Sequence, residues 1–158
     1  MSEHIYNVEI IWTGNLGEGT KAYDSYSRNH TIGADNKTII NGSADSEFRG
    51  DPNKYNPEEL LLASISSCHM LWYLHLCTTN EISVNYYADN PQGNMSINSN
   101  GGGQFTSVIL RPKIIINDKN KKTLAESLHA KAHHKCFISN SVNFPIPINP
   151  SIESKSSN

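Results

Sequence analysis

The residues that could carry chemistry in this chain are cysteines, histidines and one pair of oppositely charged side chains. A thiolate acts as a nucleophile or as a metal ligand, and an imidazole moves protons or binds metals. The candidates are Cys68, Cys136, Glu58, Arg49, His69, His133 and His134. Their types alone leave redox chemistry, metal binding and ordinary packing open, so the predicted elements that position them must be considered next.

The three cysteines differ in what they can reach. Cys68 and Cys77 lie nine residues apart on one predicted helix, which separates them by about 13.5 Å along its axis. A disulfide needs Cα atoms within about 7 Å, so these two cannot pair, and Cys77 is predicted to be a small buried hydrophobe. Cys136 lies at the end of another predicted helix and can sterically approach Cys68. Two buried cysteines are nevertheless more often packing residues than redox partners.

The most apolar stretch of the chain, NPEELLLASISSCHMLWYLHLC, begins with the signals of a helix N-terminus. Asn56 is a suitable N-cap, Pro57 suits the first helical position, and Glu59 can complete a capping box. We predict a helix from Pro57 to about Thr79. Serines and histidines interrupt its apolar surface and no other segment resembles it, which favours a buried core helix over a membrane span.

Shorter patterns around this helix predict strands and one further helix. Runs of β-branched and aromatic residues bounded by glycine, proline or asparagine are typical of strands, and apolar residues every four positions indicate a helix. Strands are predicted over 5–12, 21–32, 81–89, 106–117 and 141–148, and the second helix over 118–136. The strands 81–89 and 106–117 are expected to form an antiparallel hairpin, and two prolines place 141–148 at a sheet edge. The predicted class is α+β.

Composition places the chain among ordinary globular proteins. It has 158 residues, of which 37% are hydrophobic and 18% charged, and its net charge is -2. This balance offers no basic surface for nucleic acid and no polybasic patch for a membrane. The N-terminus lacks the pattern of a secretory signal and the cysteine number is odd, so reduced thiols in a cytoplasm are expected. We predict one domain over 1–148 and a polar, disordered tail over 149–158.

Two motifs in this sequence resemble one protein family. The segment NPEELLLASISSCHM is followed, 68 residues after its cysteine, by a second cysteine in HHKCFISNS. These motifs, and the order of predicted elements over about residues 5–148, resemble the OsmC/Ohr family (osmotically inducible protein C and organic hydroperoxide resistance protein). The resemblance implies antiparallel sheets wrapped around a long central apolar helix, in an intertwined homodimer.

The resemblance also implies a function, the reduction of alkyl or fatty-acid hydroperoxides to alcohols in oxidative-stress defence. Cys68 would attack the peroxide and become a sulfenic acid, and Cys136 would resolve it to a disulfide. Glu58 would hold an arginine beside the thiol, and the loop before NPEEL points to Arg49, with Arg28 a poorer candidate. A small dithiol, of lipoyl type, would reopen the disulfide, and no metal, haem or flavin would be needed.

The physics of a buried thiol supports the arginine and predicts a partner chain. Burial raises the pKa of a thiol, whereas a cation about 4 Å away contributes about 4 kcal/mol at an effective dielectric of about 20. Glu58 and Cys68 are ten residues apart, or about 15 Å along a straight helix, so an arginine held by Glu58 can hardly touch Cys68 of the same chain. We therefore predict an obligate homodimer with two active sites across the interface.

Two other functions remain open at this point. The first is a zinc site, because His129 and His133 share a helical face and the cysteines are suitable ligands, although no C-x-x-C or H-E-x-x-H motif occurs. The second is a small-molecule binding or stress protein without efficient peroxidase activity. Departures from the family pattern favour it, since Phe137 stands where many members have proline and His69 where phenylalanine is frequent. His69 is expected to be a packed wall residue.

A group of large apolar residues near the cysteines has two possible uses. They could form core, or they could line an apolar channel to Cys68 that favours organic hydroperoxides, since burying alkyl groups contributes about 25 cal/mol per Å². The residues are Met70, Leu71, Trp72, Tyr73 and Phe137. Periodicity does not decide between the two uses.

Overall fold

The computed structural model describes residues 3–155, so that 1–2 and 156–158 lie outside it. The chain divides into two compact units, Met1–Leu60 and Leu61–Asn158. One long helix begins in the first unit and continues into the second. The boundary of a single domain at residue 148 stays a prediction.

The first unit contains a three-stranded antiparallel sheet whose strands follow one another in sequence order. Its strands are β1 (Glu9–Trp12), β2 (His30–Gly33) and β3 (Ile40–Gly42). Isoleucines occur in each strand, as β-branched residues suit a pleated backbone. All four residues of β1 are exposed, although successive side chains point to opposite faces. Neither face of β1 is therefore covered by other residues among 3–155.

The strands of this sheet are shorter than the sequence predicts. The strand expected over 21–32 begins only at His30. Within the irregular part of this range, the Ser25 hydroxyl accepts the N–H of Ala22 at 3.0 Å and donates to the Ala22 carbonyl at 2.9 Å. Local bonds between side chains and backbone compete with strand pairing, which accounts for the irregular segment.

The start of the long helix is confirmed as a capping box. Helix α1 spans Pro57–Thr79, the bounds that the sequence predicts. The Asn56 carboxamide oxygen accepts the N–H of Glu59 at 2.8 Å, and a Glu59 carboxylate oxygen accepts the N–H of Asn56 at 3.1 Å. Each residue satisfies a main-chain donor of the other, so this acid belongs to the helix start.

Helix α1 buries one narrow stripe of side chains. Ile65, His69, Tyr73 and Cys77 recur every four residues, and each is at most 1% exposed. Side chains four apart share a helix face, so His69 and Cys77 are confirmed as packed residues. By length and composition, α1 is also long and apolar enough to cross a membrane. Core helices of soluble proteins meet the same two criteria. Within the most apolar 18-residue stretch of α1, 28% is buried.

The second unit contains two sheets. Strand β4 (Val84–Ala88) pairs antiparallel with β7 (Lys113–Ile116), as expected for the predicted hairpin. Between them, β5 (Gln92–Ile97) and β6 (Gly103–Ile109) form an antiparallel hairpin of their own, where the sequence predicts mainly a turn. Most residues of this inner hairpin are exposed and many are polar, so they lack the apolar alternation by which strands are recognised.

Helix α2 spans Lys122–Lys135, within the predicted range 118–136. It begins later than predicted because the Asp118 carboxylate accepts the N–H of Asn120 at 2.9 Å and starts a separate 3-10 turn. Its apolar face packs with α1, β7 and the C-terminal strand in the main core. That core contains Tyr73, Cys77, Ile82, Ile114, Ile116, Ala125, Leu128, Ala132 and Ile152.

The prediction of an edge strand over 141–148 is wrong. The carbonyl groups of Pro145 and Pro147 accept the N–H groups of Val108 and Leu110 at 3.1 and 3.0 Å. Proline has no N–H to donate in return, so the segment lies along β6 without completing a strand ladder.

The prediction of a disordered tail over 149–158 is wrong for its central part. Strand β8 (Ser151–Ser154) pairs in parallel with β7. Ile152 is 5% exposed and belongs to the main core. A single apolar side chain between polar ones therefore anchors this segment, a signal too short to stand out in the sequence.

Candidate active site

The fold brings Cys68 and Cys136 together. Cys68 lies half-buried in the middle of α1, whereas Cys136 follows the last residue of α2 and is fully buried. The N–H of Cys136 donates to the His133 carbonyl at 3.2 Å, which closes the end of the helix. Both are free thiols, and Cys136 contributes to the raised pKa of the Cys68 thiol, so the two side chains are neighbours. Two reduced thiols distant in sequence thus lie at one point of the second unit.

The turn after Cys136 presents a main-chain donor to one of the sulfur atoms. The N–H of Ser139 donates to the sulfur of Cys136 at 3.4 Å, and the main-chain N–H groups of Ile138 and Phe137 act to lower the pKa of the Cys68 thiol. Burial raises the pKa of the Cys68 thiol and the neighbouring Cys136 adds to the increase, while the N–H groups oppose it. The pKa is raised on balance, so a thiolate near neutral pH needs further stabilisation.

In the first unit, Glu58 and Arg28 line one cavity of about 330 Å³. The Oε2 atom of Glu58 and the Nη2 atom of Arg28 are both buried without a hydrogen-bond partner. Arg28 is held by another atom, since its Nη1 donates to the Tyr26 carbonyl at 2.8 Å. Buried charged groups cost free energy unless they are paired, so the cavity contains a strong acceptor and a strong donor that are available for bonding.

The two candidate arginines occupy different settings. The Arg28 guanidinium lies 4.4 and 4.1 Å from the ring centres of Tyr23 and Tyr26. Arg49 is exposed, its guanidinium lies 5.7 Å from the Tyr23 ring centre, and its backbone is left-handed with a φ of 63°. In the described part of the chain, neither arginine forms an ion pair with Glu58. Arg28, however, shares the cavity with Glu58.

A buried pair of histidines connects the two helices. Nε2 of His69 lies 3.0 Å from Nδ1 of His129, and Tyr73 stacks on the His129 ring with centres 4.0 Å apart. Burial lowers the pKa of His69 to about 4 and that of His129 to about 3, and the charge of His133 also lowers the His69 value. Among residues 3–155, no three His, Cys, Asp or Glu side chains are placed to hold a metal ion.

Apolar side chains beside the thiols divide between core and surface. Tyr73 is fully buried, whereas Leu71 is 63% exposed and Phe137 67% exposed. The Phe137 ring packs edge-on against Trp72, with ring centres 5.7 Å apart. Tyr73 is therefore core, whereas Leu71 is exposed apolar surface on α1, and Phe137 with Trp72 forms apolar surface directly after Cys136.

Sequence reasoning misses one feature of this arrangement and underrates another. The bond from the Ser139 N–H to the Cys136 sulfur is made by the backbone, which side-chain types do not reveal. Arg28 ranks behind Arg49 in the sequence because it lies far from the NPEEL motif. The aromatic residues Tyr23 and Tyr26 close before it were a usable signal, since guanidinium groups stack on aromatic rings.

Similarity to known proteins extends over most of the chain. A sequence model of the family described as OsmC-like protein matches residues 50–151. The structure of an OsmC-like protein from Vibrio cholerae is 33% identical, with a TM-score of 0.83 over 96% of this chain and 100% of that one.

More distant structures share the fold. Structures of organic hydroperoxide resistance proteins from Legionella pneumophila and Elizabethkingia anophelis are 21% and 19% identical, with TM-scores of 0.66 and 0.67. The match to the Legionella pneumophila structure covers 96% of this chain and 99% of that one. The match to the Elizabethkingia anophelis structure covers 98% of this chain and 100% of that one. No curated protein is similar enough to this chain to count as a match.

Proposed function

Because the chain belongs to the OsmC-like protein family and has its α+β fold, we propose that it is a cysteine peroxidase reducing organic hydroperoxides to alcohols. Its role is in the response to oxidative stress. Two structures with the same fold are those of organic hydroperoxide resistance proteins. At their low identity they support the fold alone, so the proposal rests chiefly on the thiols of this chain.

The observation that carries the proposal is the contact between Cys68 and Cys136. One thiol lies in the middle of α1 and the other directly after α2, and the effect of Cys136 on the pKa of the Cys68 thiol makes the two side chains neighbours. Disulfide formation requires two sulfur atoms at close approach, and this proximity supports the pairing. Cys77 is packed in the main core and takes no part.

The proposed reaction has two steps, after which a reductant converts the disulfide back to two thiols. The Cys68 thiolate attacks the outer oxygen of the hydroperoxide, so that an S–O bond forms, the O–O bond breaks and the alkoxide leaves with a proton as an alcohol. The Cys136 sulfur then attacks the sulfenic sulfur, a disulfide forms, and hydroxide leaves as water with the proton of the Cys136 thiol. A small dithiol, proposed to be of lipoyl type, returns two electrons by thiol–disulfide exchange.

Formation of the thiolate requires a positive charge near Cys68. A cation about 4 Å from the sulfur contributes about 4 kcal/mol at an effective dielectric of about 20, enough to offset moderate burial. Glu58 holds the arginine that supplies this charge, because carboxylate and guanidinium can form two parallel hydrogen bonds. The shared cavity and the unpartnered atoms favour Arg28 for this role. Arg49, to which the sequence points, is the second candidate.

A second copy of the chain completes each site in this proposal. Glu58 and Cys68 are ten residues apart on α1, a distance of about 15 Å that an arginine held by Glu58 does not bridge. Two α1 helices packed antiparallel about a two-fold axis bring Glu58 of one chain near Cys68 of the other. The homodimer is thus part of the mechanism.

Exposed apolar surface supports the homodimer. The isoleucine and tryptophan side chains of β1 (Ile10, Ile11 and Trp12) are 58%, 49% and 43% exposed. The most apolar window of α1 is only 28% buried. Contiguous apolar surface of this kind marks sites of protein association, and a second chain of the same kind covers it.

The surface near the thiols supports an organic substrate. Leu71, Trp72 and Phe137 provide an apolar approach, and alkyl groups gain about 25 cal/mol per Å² on burial. Hydrogen peroxide offers no such surface. The cytoplasm is the proposed location, because the catalytic cycle needs the disulfide to be reduced back to two thiols and the cytoplasm keeps thiols reduced.

One observation favours a second candidate function. Burial raises the pKa of the Cys68 thiol, and an unreactive thiol suits an OsmC-like small-molecule binding or stress protein without efficient peroxidase activity. The two candidates differ in whether peroxide consumes the thiols.

The test is a thiol count on the reduced protein before and after one equivalent of cumene hydroperoxide. The parent is compared with Cys68→Ser, Cys136→Ser and, as a matched control, Cys77→Ser. We expect the parent and Cys77→Ser to lose two thiols, Cys68→Ser to lose none, and Cys136→Ser to accumulate a sulfenic acid. Survival of every thiol in a folded parent refutes the peroxidase, and a ligand screen then becomes the next experiment.

A further inference from the structure

Protonation of the departing alkoxide is the one step of the proposed reaction that still lacks a donor. Cleavage of the O–O bond releases a strongly basic alkoxide, and an acid positioned beside it lowers the barrier to its departure. The guanidinium of Arg28 can stabilise that alkoxide, but arginine does not release its proton in proteins. A different proton donor is therefore needed in the cavity that contains Arg28 and Glu58.

His30 lines the same cavity. It is half-buried on β2, directly opposite Trp12 on β1 and Gly42 on β3. Residues directly opposite each other in neighbouring antiparallel strands point to the same face of the sheet. Gly42 leaves room for the imidazole on this face, because a side chain at position 42 would collide with Nε2 of His30. The sheet thus places an imidazole at the wall of the cavity.

One ring nitrogen atom of His30 is fixed and the other is available. Nδ1 lies 3.0 Å from the carbonyl oxygen of Arg28, which can only accept, so Nδ1 carries a proton. Nε2 forms no hydrogen bond with any of residues 3–155. The same arginine is held from its other side, since its Nη1 donates to the Tyr26 carbonyl at 2.8 Å. The ring and the guanidinium are therefore positioned together, and Nε2 remains free to exchange a proton.

We propose that His30 is the general acid of the peroxidase, whose Nε2–H donates the proton that converts the departing alkoxide into an alcohol. Imidazole is the side chain that gains and loses a proton near neutral pH, as this step requires. The inference rests on the proposed function, in which the cavity groups of one chain act on Cys68 of the other. It deepens that function by naming the source of the proton.

Protons and electrons balance over the cycle. The Cys68 thiolate supplies the electron pair of the new S–O bond, the electron pair of the O–O bond leaves with the alkoxide, and His30 gives that alkoxide one proton. His30 becomes neutral and regains a proton from the Cys68 thiol when that thiol next ionises. The charged side chains that line the cavity with His30 are Arg28, Asp45 and Glu58. The two carboxylates among them favour the imidazolium that must form, and the guanidinium opposes it.

The test compares two peroxides whose leaving groups differ in their need for a proton. Cumene hydroperoxide releases an alkoxide, whereas peroxybenzoic acid releases benzoate, a far weaker base, and each substrate has one phenyl ring. The same thiolate attacks both, so the ratio of their second-order rate constants cancels any change in the thiolate. Alkylation of Cys68 by iodoacetamide over a range of pH measures the thiolate separately. Stopped-flow rates are compared for the parent and His30→Asn, whose carboxamide can still donate to the Arg28 carbonyl.

We expect His30→Asn to consume cumene hydroperoxide on the order of 100-fold more slowly than the parent, and peroxybenzoic acid at close to the parental rate. His75→Asn, at an exposed position on α1, is the matched control and should keep the parental ratio. Equal slowing with both peroxides means that His30 acts only through Arg28 or the thiolate, which overturns the proposal. Unchanged rates with both peroxides overturn it as well.

The parent alone provides a second measurement for the case in which His30→Asn does not fold. A small free thiolate such as 2-mercaptoethanol reacts faster as the alcohol that leaves becomes more acidic. A general acid compensates for a basic leaving group, so the parent should depend much less on that acidity across a series of alkyl hydroperoxides. A dependence as steep as that of the free thiolate overturns the proposal.

Failure of the proposed function and failure of this inference are distinguishable. A parent that consumes neither peroxide refutes the peroxidase and its general acid together. An unchanged ratio in His30→Asn, beside a parent that consumes both peroxides, removes the general acid alone and leaves the peroxidase in place.

Discussion

Nε2 of His69 lies 3.0 Å from Nδ1 of His129, in a contact that joins α1 to α2. His69 is fully buried and His129 is 4% exposed. Their outer nitrogen atoms, Nδ1 of His69 and Nε2 of His129, are buried without partners. A hydrogen bond between the two rings uses one proton, so the pair is suited to the neutral state, and burial disfavours a further charge there.

This pair predicts a fold that loses stability in mild acid. The folded-state pKa values are lowered to about 4 for His69 and about 3 for His129, below an unfolded value of about 6.5. Below pH 6.5 the unfolded chain therefore binds more protons than the folded one, and stability falls as pH falls. The nearby charge of His133 acts in the same direction and Asp89 opposes it. We expect a loss on the order of 5 kcal/mol between about pH 7 and about pH 4.5.

Urea unfolding across this pH range measures the effect. A double variant, His69→Leu with His129→Phe, removes both groups and is expected to lose most of the pH dependence of its urea midpoint between about 6.5 and 5. His133, whose pKa burial also lowers, accounts for the remainder. His75→Gln, at an exposed position on α1, is the control and should keep the pH dependence of the parent. A parent whose midpoint is constant over that interval contradicts the argument.

The two acids at the start of α1 are predicted to have separate roles. Glu59 caps the helix through its bond to the Asn56 N–H, so Glu59→Ala should lower the free energy of unfolding by about 0.5–1 kcal/mol and leave peroxide consumption unchanged. Glu58 holds the proposed arginine, so Glu58→Ala should slow peroxide consumption by roughly 10- to 100-fold with little change in stability. Urea unfolding and stopped-flow consumption of cumene hydroperoxide measure the two quantities. If each variant loses both stability and the rate of peroxide consumption, the two acids do not have separate roles.

The boundaries of α1 are predictable from the sequence because they depend on contacts within one turn. Asn56, Pro57 and Glu59 act on their immediate neighbours, and the structure reproduces the predicted start and end. The OsmC-like α+β fold is confirmed in the same way, since the resemblance spans most of the chain. Local rules and family motifs therefore account for the elements that carry both proposed thiols.

The features that escape prediction depend on distant contacts or on the backbone. Strand β8 forms because Ile152 reaches the core and β7 offers an unpaired edge, neither of which is visible in a polar segment. The setting of Arg28 depends on how β2 and the start of α1 enclose one cavity. The donor to the Cys136 sulfur is the N–H of Ser139, a group that nearly every residue has, so only its direction distinguishes it.

The next prediction decides which arginine stabilises the Cys68 thiolate: Arg28, which shares the cavity with Glu58, or Arg49, in the loop before the NPEEL motif. Arg49→Gly removes the guanidinium at a left-handed position, where glycine is the residue best suited to the backbone. Arg28→Gln removes the charge that shares the cavity with Glu58. We expect Arg28→Gln to slow peroxide consumption by at least about tenfold and to raise the Cys68 thiol pKa, since loss of a nearby cation disfavours the thiolate.

The same measurements on Arg49→Gly decide between the candidates. A shifted pH profile of alkylation in Arg49→Gly, with an unchanged profile in Arg28→Gln, assigns the role to Arg49 as the sequence indicates. Circular dichroism on both variants shows whether the first unit stays folded. Unchanged profiles in both contradict an arginine-stabilised thiolate.

A site built across two chains predicts complementation between inactive variants. Cys68→Ser lacks the nucleophile, and Glu58→Ala lacks the group that holds the arginine. In a mixed dimer, the Cys68 of one chain faces the Glu58 of the other, so one of the two sites is intact. Equal amounts of the two variants, unfolded together and refolded, should recover about a quarter of the parent activity, because half the dimers are mixed and each has one working site.

The controls for complementation follow from the same geometry. Refolding each variant alone gives the background, and sedimentation of the mixture shows that dimers have formed. Mixing the variants without unfolding should give no recovery when chains do not exchange, as expected for an obligate dimer with a large apolar interface. If refolded mixtures form dimers but stay at background, both groups act within one chain. The helix distance of about 15 Å between Glu58 and Cys68 would then require an arginine route within that chain, and the interface would have a structural role only.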